Sequence, residues 1–205
     1  IEFITEAVKF IQSSQDISID LKVPIYSSAI RIACDQDDLP AATTILRLID
    51  TPKNEISSIL WNKALDIFDV NNYELSAQWM ELSRLQVPPT DNEGQSTHFR
   101  FISRCHLLSH HYDEALECSN SSLQLTPSCF HCYLLKFRSL VGLGSETSAE
   151  EFVTNDILNG PVTYLEEFDP IFFLSLSSEL YSIKGVNSLS LDCLLKLHEL
   201  NFNQE

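Results

Sequence analysis

The fold is decided by residues 99–127, which read FRFISRCHLLSHHYDEALECSNSSLQLTP. The stretch predicts a helical hairpin, two helices joined by a short turn. Ala115 is expected where the two helices approach most closely, because a larger side chain there would push them apart. Pro127 ends the second helix, since it lacks an N–H and disfavours helical geometry in the residue before it.

The same stretch matches the 34-residue tetratricopeptide pattern at each anchor position. Repeat position 4 is Phe99, positions 17 and 20 are Tyr112 and Ala115, and position 32 is Pro127. Apolar Leu123 and Leu125 fill positions 28 and 30. The match predicts a chain built from repeated hairpins.

Further copies follow from the same spacing along the chain. The alanines expected at the close approach are spaced 35, 38 and 34 residues apart, at Ala42, Ala77, Ala115 and Ala149. Tyr73 lies one place early in its copy, and the second helix after Ala149 is degenerate around residues 152–158. A poorer last copy begins at Pro170 and turns at Gly185, and residues 3–11 carry one apolar helix face that precedes the first copy.

We therefore predict an all-α fold, a right-handed tetratricopeptide-type solenoid of about five helical hairpins. We expect one domain over residues 1–205, which would be part of a longer solenoid. The alternative to the solenoid is an irregular helical bundle. The predicted repeats lie near 23–57, 58–95, 96–129, 130–168 and 169–202. The predicted linkers, rich in Pro, Gly, Asn and Asp, lie at 22–24, 51–54, 87–95 and 158–162.

Composition narrows the classes of function. The formal net charge of −16 makes direct binding of duplex DNA by this segment unexpected. Six cysteines spread over long helical segments are typical of reduced, intracellular thiols. No run approaches the roughly 18 consecutive apolar residues of a membrane span, so no membrane partner is expected.

Three further segments carry a more particular resemblance. The first comprises Leu60-Trp-Asn-Lys-Ala64, Asn72-Tyr73 and Ala77-Gln-Trp79. The second comprises Arg104-Cys-His-Leu107 and Tyr112-Asp-Glu-Ala115. The third comprises Tyr133-Leu-Leu-Lys-Phe137 and Phe168-Asp-Pro170. Together they resemble the Zip-four and Spo-twenty-two family of meiotic crossover proteins over roughly residues 55–200. Ser76 and the degenerate helix after Ala149 depart from that family's pattern.

The resemblance implies a nuclear, non-enzymatic scaffold on meiotic chromosomes that promotes crossover formation and synaptonemal complex assembly. It also implies protein partners, an XPF-like and ERCC-like pair together with synaptonemal or axis proteins. No cofactor is expected.

In a solenoid the exposed positions of each first helix form a concave groove for a partner peptide or helix. This register places Ser27 and Cys34 there, together with the residues that we predict to bind the partner: Arg31, Asn62, Asp66, Arg100, Arg104, Leu108 and Arg138. The arginines suit a partner segment with acidic and apolar residues. The alternative is that they pair with neighbours such as Asp66 and Asp69 to hold repeats together.

Two residue types in this region have plainer interpretations. The Asn62 amide could grip a partner's main chain, or it could make a capping or inter-helix hydrogen bond. Trp61 and Trp79 are expected in the core.

A metal or catalytic site is not expected. Cys129-Phe-His-Cys132 is a single C-x-x-C, whereas a closed zinc site needs four ligands, so we expect small buried thiols at a hairpin junction. His110 and His111 are expected in a solvated turn. The sequence carries no phosphate loop or catalytic motif. Two rival classes remain, another tetratricopeptide adaptor such as a cochaperone or transport module, and a helical hydrolase or deaminase domain.

Overall fold

The computed structural model describes residues 2–14, 19–49, 54–160, 170–184 and 187–202. Over these ranges the chain forms helices and turns and no strand, which confirms the all-α prediction. The helices are α1 (Glu2–Ser13), α2 (Ile19–Asp35), α3 (Leu39–Leu46), α4 (Asn54–Asp69), α5 (Tyr73–Arg84), α6 (Asn92–Leu108), α7 (Tyr112–Leu125), α8 (Phe130–Gly142), α9 (Glu146–Phe152), α10 (Pro170–Lys184) and α11 (Ser188–Phe202). A π-helical segment, Val153–Leu158, continues α9.

One turn recurs four times, after α2, α4, α6 and α8. The second residue after the helix has a positive φ, between 53° and 70°, at Asp37, Asn71, His110 and Gly144. After α8, the Gly144 N–H bonds to the Val141 carbonyl at 2.9 Å and the Ser145 N–H to the Leu140 carbonyl at 3.0 Å. The corresponding bonds close the turns after α2 and α4. Such a left-handed cap satisfies the last carbonyls of one helix and redirects the chain into the next.

A small buried side chain lies five residues after each of these positive-φ residues. The four are at most 2% exposed and comprise Ala42, Ser76, Ala115 and Ala149. The prediction of Ala77 at this place is therefore wrong by one residue, and Tyr73 is in register. The hydroxyl of Ser76 fits because it donates to the Ala64 carbonyl of α4 at 2.7 Å.

The helices of unit 1, residues 1–109, pack as neighbouring pairs. α2 packs on α3 and α4 on α5, while α2–α4 and α5–α6 contacts join successive pairs. In the α4–α5 pair, the Ser57 hydroxyl donates to the Ser83 carbonyl at 3.1 Å, and the two hydroxyl oxygens lie 3.0 Å apart. Ser57 lies early in α4 and Ser83 late in α5, so the two helices run antiparallel.

Unit 2, residues 110–205, is also built from packed helices and has an aromatic core. α7 packs on α8, α8 on α9 and α10 on α11, and α10 also contacts α8. The core contains the buried rings Phe130, Tyr133, Phe137, Phe152, Phe172 and Phe173. The predicted irregular helix around 152–158 is the π-helical segment, with Val153 and Ile157 buried.

Two predicted linkers are partly wrong. Residues 22–24 belong to α2, which runs through the exposed Pro24. Pro24 removes one N–H donor from the helix, and its ring is exposed to solvent. The linker placed at 87–95 runs from 85 to 91, since Gln95 is in α6. Residues 51–53 and 161–169 and the turn at Gly185 lie outside the described residues.

The boundary between the two units falls at Ser109 and His110, inside the repeat predicted at 96–129. The single domain over residues 1–205 stays a prediction. None of the helices described is long and apolar enough to cross a membrane.

Candidate functional site

An aromatic seam joins α4 to α6. It consists of Trp61 and Phe68 on α4 and His98 and Phe101 on α6. Trp61 meets His98 and Phe101 with ring centroids 4.8 and 5.6 Å apart, and Phe68 meets Phe101 at 5.2 Å. Since the contacts advance in the same direction along both helices, α4 and α6 run parallel. In the predicted register both are first helices of successive pairs.

Above this seam, the exposed sides of α2, α4 and α6 carry most of the predicted partner-binding residues. We call this surface the first-helix face of unit 1. Its exposed members are Arg31, Asn62, Asp66, Arg104 and Leu108, and Arg100 is half-buried. The helix that carries Asn62 and Asp66, α4, contacts both α2 with Arg31 and α6 with Arg100 and Arg104.

Two polar side chains on this face, Asn62 and Arg31, make no hydrogen bond or ion pair with any described residue. Asn62 is exposed, and its amide makes no hydrogen bond to any described residue, which disfavours the capping interpretation. Arg31 likewise has no hydrogen-bond or ion-pair partner within the described ranges. Both side chains keep their donors available to another molecule.

Arg104 is held by an aromatic ring and not by a carboxylate. Its guanidinium lies over the Phe68 ring, 4.9 Å from the centroid. In the part of the chain that the structure describes, it forms no ion pair with Asp66 or Asp69. A stacked guanidinium still presents its N–H groups at the edge, where a carboxylate can be held by two hydrogen bonds.

Arg138 has a different environment, in unit 2. Its Nε bonds to both carboxylate oxygens of Glu179 at 3.0 Å, and its Nη2 also bonds to that carboxylate. This hydrogen-bonded pair raises the pKa of Arg138 above its usual value. Arg138 thus follows the alternative interpretation, an ion pair that links α8 to α10.

Two residues assigned to the groove are buried instead. Ser27 and Cys34 are 3% and 7% exposed, because α2 is surrounded by α1, α3 and α4. Burial raises the pKa of the Cys34 thiol to about 11. Beside them, the ammonium of Lys63 pairs with Asp37 and ties α4 to the turn after α2.

The structure also brings together a serine and a histidine that sequence reasoning missed. The Ser83 hydroxyl lies 2.9 Å from His98 Nε2, and His98 Nδ1 lies 2.8 Å from the Gly94 carbonyl. Because a carbonyl only accepts, Nδ1 carries the proton and Nε2 accepts from the serine. Burial lowers the pKa of His98. Ser83 and His98 are only 0% and 7% exposed, so the pair is enclosed from substrate and holds α5 against α6.

The cysteine pair lies at the expected helix junction, but only Cys132 is buried. Cys129 caps α8 and Cys132 is buried in its first turn, at the α7–α8 junction. Among the described side chains, no three His, Cys, Asp or Glu residues are placed to hold a metal ion.

Unit 2 carries an open cavity and an apolar surface. The cavity, about 310 Å³, lies between α8 and the π-helical segment and is lined by Lys136, Glu151, Phe152 and Asp156 among others. The Lys136 ammonium sits over the Phe152 ring, 4.5 Å from its centroid. Large apolar side chains are exposed on α10 and α11: Ile171, Leu174, Tyr181, Leu191, Leu194 and Leu195.

No protein-family model matches the chain.

Proposed function

We propose that this protein is a non-enzymatic scaffold of tetratricopeptide-type hairpins, and that the first-helix face of unit 1 binds a partner protein. The supporting observation is a set of unengaged donors on neighbouring helices. Arg31 and Asn62 have no partner among the described residues, and Arg104 keeps its edge free above Phe68. Because Arg104 is already held over Phe68, less side-chain entropy is lost when it binds a partner.

The recurrent turn supports the tetratricopeptide part of the proposal. Four left-handed caps spaced 34, 39 and 34 residues apart are each followed by a small buried residue. The longer interval contains the extra turn at 85–91. A 34-residue spacing of antiparallel pairs is that of the tetratricopeptide repeat.

The chemistry of the face selects the partner. Carboxylates of an incoming segment would lie against the arginine rows of α2 and α6, and a neutral or basic group would lie against Asp66. Leu108, which is 40% exposed, offers an apolar contact at the end of α6. We therefore propose an extended or helical segment with acidic and apolar residues as the ligand.

The resemblance of residues 55–200 to the Zip-four and Spo-twenty-two family extends the proposal to a biological role. The protein would act in the nucleus on meiotic chromosomes, with an XPF-like and ERCC-like pair and with synaptonemal or axis proteins as partners. The net charge of −16 supports contact with proteins and not with duplex DNA.

The test compares two charge-matched double variants in affinity purification from meiotic cells, followed by mass spectrometry. Arg31→Gln with Arg104→Gln removes two charges from the face and keeps polar, unbranched side chains. Lys9→Gln with Arg47→Gln removes two exposed charges of unit 1 outside it. We expect the first variant to lose its partners and the second to keep them, with both melting temperatures within a few degrees of the wild type.

Two results would overturn the proposal. Equal recovery of partners by both variants would remove the face as the binding surface. Recovery of heat-shock chaperones without chromosome-axis or crossover factors would replace the meiotic role with that of a cochaperone adaptor.

A further inference from the structure

Two thiols meet at the start of α8. Cys129 is the N-cap residue, Cys132 follows one turn later, and their sulfur atoms are 3.1 Å apart. All six cysteines are thiols that form no disulfide. The proposed binding function makes no use of this pair.

The backbone already holds the pair in a geometry that a disulfide can adopt. The Cys132 N–H bonds to the Cys129 carbonyl at 3.0 Å. A turn closed in this way keeps the two Cα atoms within about 7 Å, the upper limit for an unstrained bridge. The sulfurs must therefore approach by only about 1 Å to reach the bonding distance of about 2 Å.

The two thiols have unequal access. Cys129 is half-buried and lies at the positive end of the helix dipole, where a thiolate is stabilised. Cys132 is buried, and its sulfur lies 3.0 Å from the Ser122 hydroxyl of α7. This asymmetry suits Cys129 to meet an oxidant and Cys132 to resolve the product.

The deeply buried cysteines provide a contrast within the same chain. Burial raises the pKa to about 11 for the Cys34 and Cys105 thiols and to about 12 for Cys193. Such thiols hold almost no thiolate at neutral pH and are inert to oxidants. Cys118 on α7 is half-buried, like Cys129, and makes a matched comparison.

We propose that Cys129 and Cys132 form a redox-active dithiol that hydrogen peroxide converts to an intrachain disulfide. The Cys129 thiolate attacks one peroxide oxygen, the O–O bond breaks, and hydroxide leaves to be protonated to water. This step leaves Cys129 as the sulfenic acid. The Cys132 sulfur then attacks the Cys129 sulfur, and the S–O bond breaks with release of a second water. The two thiols lose two electrons, which the peroxide gains.

The disulfide would clamp the first turn of α8 and remove the S–H group beside Ser122. The α7–α8 junction would then differ between the reduced and oxidised protein. A pair of this kind in an intracellular protein is typical of a reversible sensor and not of a structural bridge.

The test treats the full chain with dilute hydrogen peroxide and maps its cysteines by mass spectrometry. We expect the 129–132 peptide to lose two hydrogens, and a thiol reductant to restore them. Cys129→Ser should abolish this loss, while Cys118→Ser should leave it unchanged. Before oxidation, iodoacetamide should modify Cys129 at least about 10-fold faster than Cys34.

Either of two outcomes would overturn the proposal. One is a disulfide that maps to other cysteines. The other is a 129–132 peptide that keeps its hydrogens, or gains only oxygen, at peroxide doses that oxidise Cys118.

Discussion

The small residue five places after each left-handed cap sets how closely paired helices approach, and Ala42 offers the cleanest test of this. Its side chain is fully buried in α3, which packs on α2. In the α4–α5 pair the same place holds Ser76, whose hydroxyl donates to a carbonyl of the facing helix. Ala42→Ser should therefore be tolerated, and Ala42→Leu should not.

The magnitudes follow from the available space. Serine adds one oxygen that can repeat the Ser76 hydrogen bond, so we expect a loss of at most about 1 kcal/mol. Leucine adds three carbon atoms where none of the surface is open, and overpacking of this kind costs about 1–3 kcal/mol. We expect about 2 kcal/mol or more, which lowers the melting temperature of a unit of about 100 residues by roughly 10 °C.

Tryptophan fluorescence during urea unfolding measures this effect selectively. The chain has two tryptophans, Trp61 and Trp79, and both lie in unit 1 with Ala42. Thr44→Leu is the matched control, since it adds apolar volume at an exposed position of the same helix. If Ala42→Leu unfolds at the same urea concentration as Thr44→Leu, the reasoning about close approach is refuted.

Three further predictions concern particular contacts. The pKa of His98 is lowered in the folded state, so the unfolded state takes up the proton first as the pH falls below about 6.5, and stability is lost. His98→Gln should reduce this loss of stability between pH 7 and 5.5 in fluorescence-monitored unfolding. An unchanged dependence of stability on pH would contradict this. Arg138→Ala should cost only about 0.5–1 kcal/mol because the pair with Glu179 is partly exposed, and a double-mutant cycle with Glu179→Gln measured by circular dichroism checks the coupling. Gly144→Ala should lower the free energy of unfolding by about 1–2 kcal/mol in the same measurement, because its φ of +70° is unfavourable for alanine. No steric clash contributes, since nothing lies within 4 Å of the added carbon. An unchanged stability would contradict the strained turn.

The hairpin helices and turns of this protein are predictable from sequence because their signals are local. Pro127, Tyr112 and Ala115 mark a hairpin within one stretch of chain, and the spacing of such marks locates the others. The sequence could not show in this way that Ser76, and not Ala77, is the small residue at the close approach in α5. Alanine is the expected small residue, and only the backbone of the turn shows which position meets the facing helix.

The binding residues are predictable only in part, because exposure depends on how many helices surround each one. α4 and α6 keep Asn62, Asp66 and Arg104 exposed, as their periodicity indicated. On α2 the same periodicity fails for Ser27 and Cys34, since three neighbouring helices cover it.

Contacts between residues far apart in sequence account for the remaining differences between the predicted and the observed residue environments. Glu179 lies 41 residues from Arg138, and no local pattern pairs them. Ser83 and His98 are 15 residues apart on different helices, so their contact depends on the turn between α5 and α6. A serine beside a histidine could also be catalytic, and it is the burial of Ser83 and His98 that assigns them a structural role.

Hydroxyl-radical footprinting of the complex with a co-purified partner tests the proposed binding face most directly. Leu108 on the first-helix face and Leu85 after α5 are both exposed in unit 1, by 40% and 52%, and both are oxidised readily when free. We expect the partner to protect Leu108 and to leave Leu85 reactive. Protection of Leu85 with Leu108 unchanged would contradict it.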